Sequence, residues 1–106
     1  MKQMSEALLG EVSQKFKVLS DPIRLRILHE LQAGERTVNE LVAATRSSQP
    51  NISKHLALLK TAGLVHRRKQ GNQAYFSIAA PYIFELCDIV CGGIAEELEK
   101  KNQSLA

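Results

Sequence analysis

The chain contains 106 residues, of which 44% are hydrophobic and 24% are charged, and its formal net charge at pH 7 is +3. A chain of this length builds one core, so we expect residues 1–106 to form a single domain. Only 5% of the residues are aromatic, which favours helices around an aliphatic core over a sandwich of aromatic strands. The sequence has neither a membrane span nor a signal peptide, so we expect a cytoplasmic protein that does not bind membranes.

Two helices are predicted in the first third of the chain. The first spans about residues 5–19 and has one apolar stripe. This stripe consists of Leu8, Val12, Phe16 and Leu19. The second helix begins after Asp21, a favourable N-cap, and is predicted to end at Gly34, because glycine readily adopts the left-handed conformation that closes a helix.

A helix-turn-helix unit is predicted at about residues 37–62. Thr37 and Glu40 have the spacing of a capping box, which predicts that the third helix begins there. A short polar break then leads to the fourth helix, at about residues 49–62. Its predicted buried residues are Ile52, Leu56 and Leu59.

A β-hairpin and a last helix complete the predicted order. The hairpin, which we call the wing, falls at about residues 64–78 around a turn at about residues 69–73 that contains Gly71. The fifth helix is predicted at about residues 81–102. The predicted fold class is therefore mainly α with a small β-hairpin (α+β), in the order α-α-α-α-β-β-α.

The charges are unevenly distributed along the chain. Between Glu40 and Glu85 there is no Asp or Glu, whereas six Lys or Arg lie there, so this segment carries +6 and the rest of the chain carries −3. The basic segment covers the fourth helix and the wing. Because DNA phosphates attract cations and repel carboxylates, this coincidence predicts a surface that binds double-stranded DNA.

Side chains in the first turns of the fourth helix are predicted to face the major groove, where Gln and Asn can pair with adenine and Lys can reach guanine or a phosphate. Cations on the wing are predicted to bind the DNA backbone or the minor groove. The candidate DNA-binding residues are Ser48, Gln49, Asn51, Ser53, Lys54, His55, Arg67, Arg68 and Lys69. For His55 a packed or capping role is an open alternative, and His29 and His66 are interpreted as structural.

Four sequence blocks occur in the order and spacing of a known family. They read LSDPIRLRIL at residues 19–28, TVNEL at 37–41, SQPNISKHL at 48–56 and AGLV at 62–65, followed by the Arg-rich wing. Over about residues 15–80 the chain thus resembles the ArsR/SmtB family of bacterial winged-helix repressors. The resemblance implies a winged helix-turn-helix, a homodimer through the first and last helices, and an operator with an inverted repeat. The family's groove-facing and wing positions correspond to Gln49, Ser53, His55, Arg67 and Arg68.

The resemblance also implies release from DNA by a metal, metalloid or thiol signal, but two effector sites of the family are not expected here. Arsenic-sensing members often carry two cysteines after the Glu-Leu of the third helix, whereas Leu41 is followed here by Val42, Ala43 and Ala44. Zinc-sensing members carry Asp, His, His and Glu on the last helix, and the predicted last helix has no histidine.

The last helix instead carries two cysteines, Cys87 and Cys91, whose spacing of four places them on one face within its apolar stripe. Two thiolates per chain, and four in a twofold dimer, suit trivalent arsenic or antimony, cadmium or lead. We therefore consider arsenite, antimonite or a soft metal ion as inducer, with no constitutive cofactor. A redox pair that forms a disulfide or sulfur bridge and a structural pair that packs like small hydrophobic residues are open alternatives. Gly92 and Gly93 are expected to allow a close helix approach or to weaken the helix locally.

The predicted function is a DNA-binding transcriptional repressor that a thiol-reactive effector releases from its operator. An alternative from another class is a winged-helix module for protein interaction, in which the basic wing binds an acidic partner. An enzyme is not expected, because the cysteines have no nearby histidine base or C-x-x-C spacing and no glycine-rich phosphate loop is present.

Overall fold

Helices form most of the chain, as seen in a computed structural model that describes residues 3–105 and the side chains of residues 3–103. Within that range the elements are α1 (Glu6–Leu19), α2 (Pro22–Leu31), β1 (Arg36–Thr37), α3 (Val38–Thr45), α4 (Gln49–Thr61), β2 (Val65–Gln70), β3 (Gln73–Ile78) and α5 (Pro81–Leu105). None of the helices in residues 3–105 combines the length and apolarity that a membrane crossing requires.

The helices begin where local side chains accept hydrogen bonds from their first N–H groups. The Asp21 Oδ1 atom accepts from the N–H groups of Ile23 and Arg24, at 2.8 and 3.1 Å. The backbone hydrogen bond from Arg24 is the main reason that the pKa of Asp21 is lowered. The predicted capping box is confirmed, because the N–H of Thr37 donates to Glu40 Oε1 at 2.9 Å and the N–H of Glu40 donates to Thr37 Oγ1 at 3.2 Å.

The wing is part of a three-stranded antiparallel sheet with the order β1-β3-β2. Its strands reach Gln70 and Gln73, so the turn consists of two residues instead of the five predicted, and Gly71 has a φ of +60° there. Strand β1 was absent from the prediction because two residues show no periodicity. It pairs with the central strand by placing Arg36 opposite Phe76.

The core lies between α2, α3, α4 and the start of the sheet. Its most deeply buried side chains are Ile27, Leu41, Ile52, Leu56, Leu59 and Leu64. The predicted buried face of α4 is therefore confirmed. Since three aliphatic residues of α4 are packed in the core, its opposite face is presented to solvent in a fixed orientation.

Helices α1 and α5 bury much less of their apolar surface within the chain. Phe16 of the predicted α1 stripe is 55% exposed, and Ile94 and Leu98 of α5 are 50% and 57% exposed. Together with α2, these helices surround a groove of about 810 Å³ with a mostly apolar lining, which we call the apolar groove. Helix α5 continues without a break through Gly92 and Gly93, and a Cβ atom added at either glycine would meet no described atom within 4 Å beyond its chain neighbours and the adjacent backbone of the helix.

Candidate nucleic-acid interface

The outer face of α4 begins with exposed polar side chains. Ser48 caps the helix, since its Oγ accepts a hydrogen bond from the N–H of Asn51 at 3.3 Å. Gln49, Ser53 and Lys54 are exposed, as the sequence predicts. An amide, a hydroxyl and an ammonium on one helix face can donate to base edges and phosphates, and Gln and Ser can also accept.

Asn51 contributes to the turn that joins α3 to α4. Its Nδ2 donates to Ser47 Oγ at 2.7 Å, and the side chain is half-buried. Arg46, which ends α3, has a φ of +58°, and its N–H donates to the carbonyl of Val42 at 2.9 Å. Asn51 and Ser48 are thus placed at the start of α4, and their contacts with DNA stay predictions.

His55 does not lie on the outer face, and its predicted outward position is wrong. The side chain is only 7% exposed, and its Nδ1 lies 3.2 Å from Arg24 Nη1. The alternative of a packed histidine is confirmed. The sequence contained the signal for this, because position 55 follows Ile52 by three residues and precedes Leu59 by four, which places it on the buried face of a helix.

The three cations of the wing have different environments. Arg67 and Lys69 are exposed. The Nε and Nη2 atoms of Arg68 donate to the two carboxylate oxygens of Glu35, each at 3.0 Å. Its Nη1 donates to Gln70 Oε1 at 2.6 Å. Because all three nitrogens of this guanidinium are hydrogen-bonded within the chain, Arg68 differs from the free phosphate-binding cation that the sequence predicts.

Glu35 and Tyr75 are the residues of this surface that the sequence interpretation missed. The guanidinium carbon of Arg68 lies 4.8 Å from the centroid of the Tyr75 ring, so the arginine crosses the central strand to reach Glu35. The hydrogen bond from Arg68 also lowers the pKa of Glu35. Glu35 precedes the acid-free segment of the sequence, and folding brings its charge onto the wing. Arg68 is exposed as well, but its charge is compensated by Glu35, so the net positive charge of the wing comes from Arg67 and Lys69.

The turn of the wing lies close to the start of α4. Gln49 and the turn residue Asn72 line a polar cleft of about 300 Å³, together with Asn39 at the start of α3. The first turn of α4 and the tip of the wing therefore border the same depression. This arrangement lets one ligand contact both elements at the same time.

The two candidate effector residues are free thiols beside the apolar groove. Cys87 is half-buried, Cys91 is exposed, and both line the groove. Burial is the main cause that raises the pKa of the Cys87 thiol, and the neighbouring Asp88 and Cys91 raise it further. Among the residues with described positions, no group of three or more His, Cys, Asp or Glu could hold a metal ion.

Comparison with known proteins extends these observations. Residues 21–67 match the family model described as "Bacterial regulatory protein, arsR family". The chain is 37% identical over 98 residues to the uncharacterized HTH-type transcriptional regulator Rv0081 of Mycobacterium tuberculosis, covering 92% of this chain and 86% of the relative. It is 45% identical over 71 residues to the arsenical resistance operon repressor of Escherichia coli, covering 66% of this chain and 60% of the relative.

Solved structures share the fold. The crystal structure of Rv0081 superposes with a TM-score of 0.79 and covers 92% of this chain and 98% of that one. The homodimeric winged helix-turn-helix DNA-binding domain of Mb0332 from Mycobacterium bovis, a possible ArsR-family transcriptional regulator, has a TM-score of 0.81 at 35% identity. It covers 93% of this chain and 94% of that chain.

The fold and its polar, basic face define a winged helix-turn-helix protein. The relationship over nearly the whole chain is more specific, and the chain belongs to the ArsR family of transcriptional regulators. The predicted resemblance and the predicted fold class are therefore confirmed, as is the expectation of a regulator and not an enzyme.

Proposed function

We propose that this ArsR-family regulator is a homodimeric repressor that reads an inverted-repeat operator with α4 and the wing. The observation that carries the proposal is the division of α4 into two faces. Ile52, Leu56 and Leu59 are buried, whereas Ser53 and Lys54 between them are exposed. A helix fixed by its core face and polar on its outer face is suited to the major groove of DNA.

The apolar groove supports the dimer. Exposed apolar side chains on α1 and α5, among them Phe16, Ile94 and Leu98, are costly to leave in water and are covered when a second copy associates. The relative Mb0332 has a DNA-binding domain described as homodimeric. A twofold dimer presents two α4 helices, which fit two half-sites about one DNA turn, roughly 34 Å, apart.

Within this proposal, the DNA contacts come from residues that are exposed, or half-buried in the case of Asn51, and that carry no charge already compensated within the chain. The groove-facing candidates are Ser48, Gln49, Asn51, Ser53 and Lys54, and the backbone candidates are Arg67 and Lys69. His55 is left out because it is buried. Arg68 is left out because its charge is already compensated by Glu35.

The DNA proposal is tested by titrating the protein with DNA duplexes over a series of salt concentrations. We expect one palindromic sequence, selected by the protein from a random pool, to bind more tightly than scrambled duplexes at every salt concentration. Equal affinity for all duplexes would contradict an operator-binding function. It would instead favour the interaction module, in which the wing binds an acidic protein.

Neighbouring arginines of the wing provide a matched pair of variants. Arg67→Gln is expected to reduce the steepness of log affinity against log salt concentration by about 1.8, because the dimer loses one phosphate contact in each protomer and each contact contributes about 0.9. Arg68→Gln is expected to leave this slope nearly unchanged, because the Arg68 guanidinium is hydrogen-bonded to Glu35 and no phosphate contact is lost with it. Equal slope changes in the two variants would show that Arg68 leaves Glu35 to bind DNA.

We further propose that a thiol-reactive inducer, arsenite, antimonite or a soft metal ion, binds at Cys87 and Cys91. The two thiols share the wall of the groove that a second copy is proposed to cover, so a ligand there acts directly on the dimer. A relative of this chain is the arsenical resistance operon repressor of Escherichia coli. Burial raises the pKa of the Cys87 thiol and so favours its protonated form, and binding of a metal cation to a thiolate releases that proton.

The inducer proposal is tested on the reduced protein bound to its selected operator. Arsenite, antimonite, cadmium, lead, zinc and peroxide are added separately, and DNA release is followed by fluorescence anisotropy. We expect release by one of the soft ligands in the wild type and retention of DNA in the Cys87→Ser, Cys91→Ser double variant, with unchanged affinity before addition. Release by peroxide alone would favour the redox alternative, and retention under all conditions would favour structural cysteines.

A further inference from the structure

We propose that Arg24 and His55 are positioning residues that couple the corner between α1 and α2 to the orientation of α4. This inference rests on the proposed DNA-binding function. His55 is the one polar or charged side chain that is buried among residues 3–103. It lies on α4 directly after Lys54, which is exposed on the face proposed to contact DNA.

Arg24 connects three helices through hydrogen bonds. Its Nε donates to the carbonyl oxygen of Val18 near the end of α1, at 2.6 Å. Its own backbone N–H donates to Asp21 at the start of α2, at 3.1 Å. Its Nη1 lies 3.2 Å from Nδ1 of His55 on α4. The half-buried Arg24 therefore joins the end of α1 and the start of α2 to the proposed recognition helix.

The chemistry of the contact determines how His55 is oriented. A guanidinium offers only donors, so Nδ1 of His55 must accept the hydrogen bond and the ring proton is on Nε2. Apart from this contact and the local hydrogen bond between Asn51 and Ser47 at its start, α4 is held by aliphatic side chains such as Ile52 and Leu56. Aliphatic contacts have no directional preference. The Arg24–His55 hydrogen bond depends on both distance and angle, so it restricts rotation of α4 about its axis in a way that aliphatic packing does not.

The same corner borders the apolar groove. Leu19, Ser20 and Pro22, which flank the junction of α1 and α2, line the groove on one side. Arg24 and Val18 lie within a few residues of them and make the hydrogen bonds described above. Arg24 thus lies between the residues that line the groove and α4, although it does not line the groove itself. We infer that this contact sets the relative orientation of the two recognition helices in the dimer.

The experiment uses the full chain and a duplex that the wild type selects from a random pool. Variants of that duplex have one base pair inserted or removed between the half-sites. His55→Leu has similar bulk but no acceptor, whereas His55→Asn retains an acceptor near the Nδ1 position. Arg24→Lys keeps the positive charge but lacks the planar group that reaches both Val18 and His55.

We expect His55→Leu and Arg24→Lys to bind the selected duplex about tenfold more weakly than the wild type and to discriminate less between half-site spacings. His55→Asn is expected to restore both affinity and spacing preference to near wild-type values. The double variant with Arg24→Lys and His55→Leu is expected to lose no more affinity than either single variant, since both remove the same contact.

Three results would overturn the inference. They are equal affinity of His55→Leu and His55→Asn, an unchanged spacing preference in His55→Leu and Arg24→Lys, and losses that add in the double variant. If His55→Leu does not fold, Arg24→Lys and its spacing preference carry the test. A wild type without any preferred duplex would instead contradict the proposed function itself, so the two failures are distinguishable.

Discussion

An Ile94→Glu variant is expected to be monomeric and to bind its operator at least about 100-fold more weakly than the wild type, because linked half-sites gain roughly 10²- to 10⁴-fold in avidity. Ile94 lines the apolar groove and is half-exposed in the single chain. In the proposed dimer its side chain is covered by the partner, and a carboxylate at that position would be buried without a counter-charge. Light scattering gives the oligomeric state, and anisotropy titration gives the affinity.

Tyr82→Glu provides the matched control on the same helix. Tyr82 is an exposed apolar residue in the first turn of α5 and does not line the groove. We expect this variant to stay dimeric and to bind the operator nearly as well as the wild type. If both variants remain dimeric, a surface other than the apolar groove forms the dimer.

Leu59→Ala is expected to lower the free energy of unfolding by about 2–5 kcal/mol, as for other buried leucines truncated in a packed core. Leu59 is completely buried, and its loss leaves a cavity under α4 next to the other aliphatic residues of the helix-turn-helix. The measurement is urea unfolding at one fixed protein concentration, because association contributes to the apparent stability.

The adjacent Leu58 supplies the control for this second variant. It is the same residue type on the same helix but is 43% exposed. Leu58→Ala is expected to cost less than about 1 kcal/mol, since little packed volume is lost. Similar losses for the two leucines would mean that α4 is oriented differently from the arrangement described above.

Features that depend on neighbouring residues were predictable from the sequence. The caps at Asp21 and Thr37 were predicted because their hydrogen-bond partners lie within three residues. The buried stripe of α4 was predicted because an aliphatic pattern at helical spacing has few alternatives. The outward prediction for His55 is wrong because a polar side chain is usually exposed. Its position in the same aliphatic pattern indicates the buried face.

Features that depend on distant residues were not predictable. Glu35 reaches Arg68 across 33 positions in the chain, and only the pairing of the two-residue strand β1 brings them together. The sequence also predicts the apolar stripe along one face of α1. Its periodicity, however, cannot distinguish a surface covered by the same chain from one covered by a second copy, because both need the same side chains.

The exposed apolar side chains of α1 and α5 affect how the operator occupancy of such a regulator depends on its own concentration. If association of two chains is what covers the apolar groove, the concentration of dimer depends on the square of the concentration of free chains. Where free chains predominate, halving the amount of protein lowers the amount of dimer about fourfold. Occupancy of the operator would then fall more steeply than the amount of protein, and modest changes in synthesis or degradation would be amplified at the promoter.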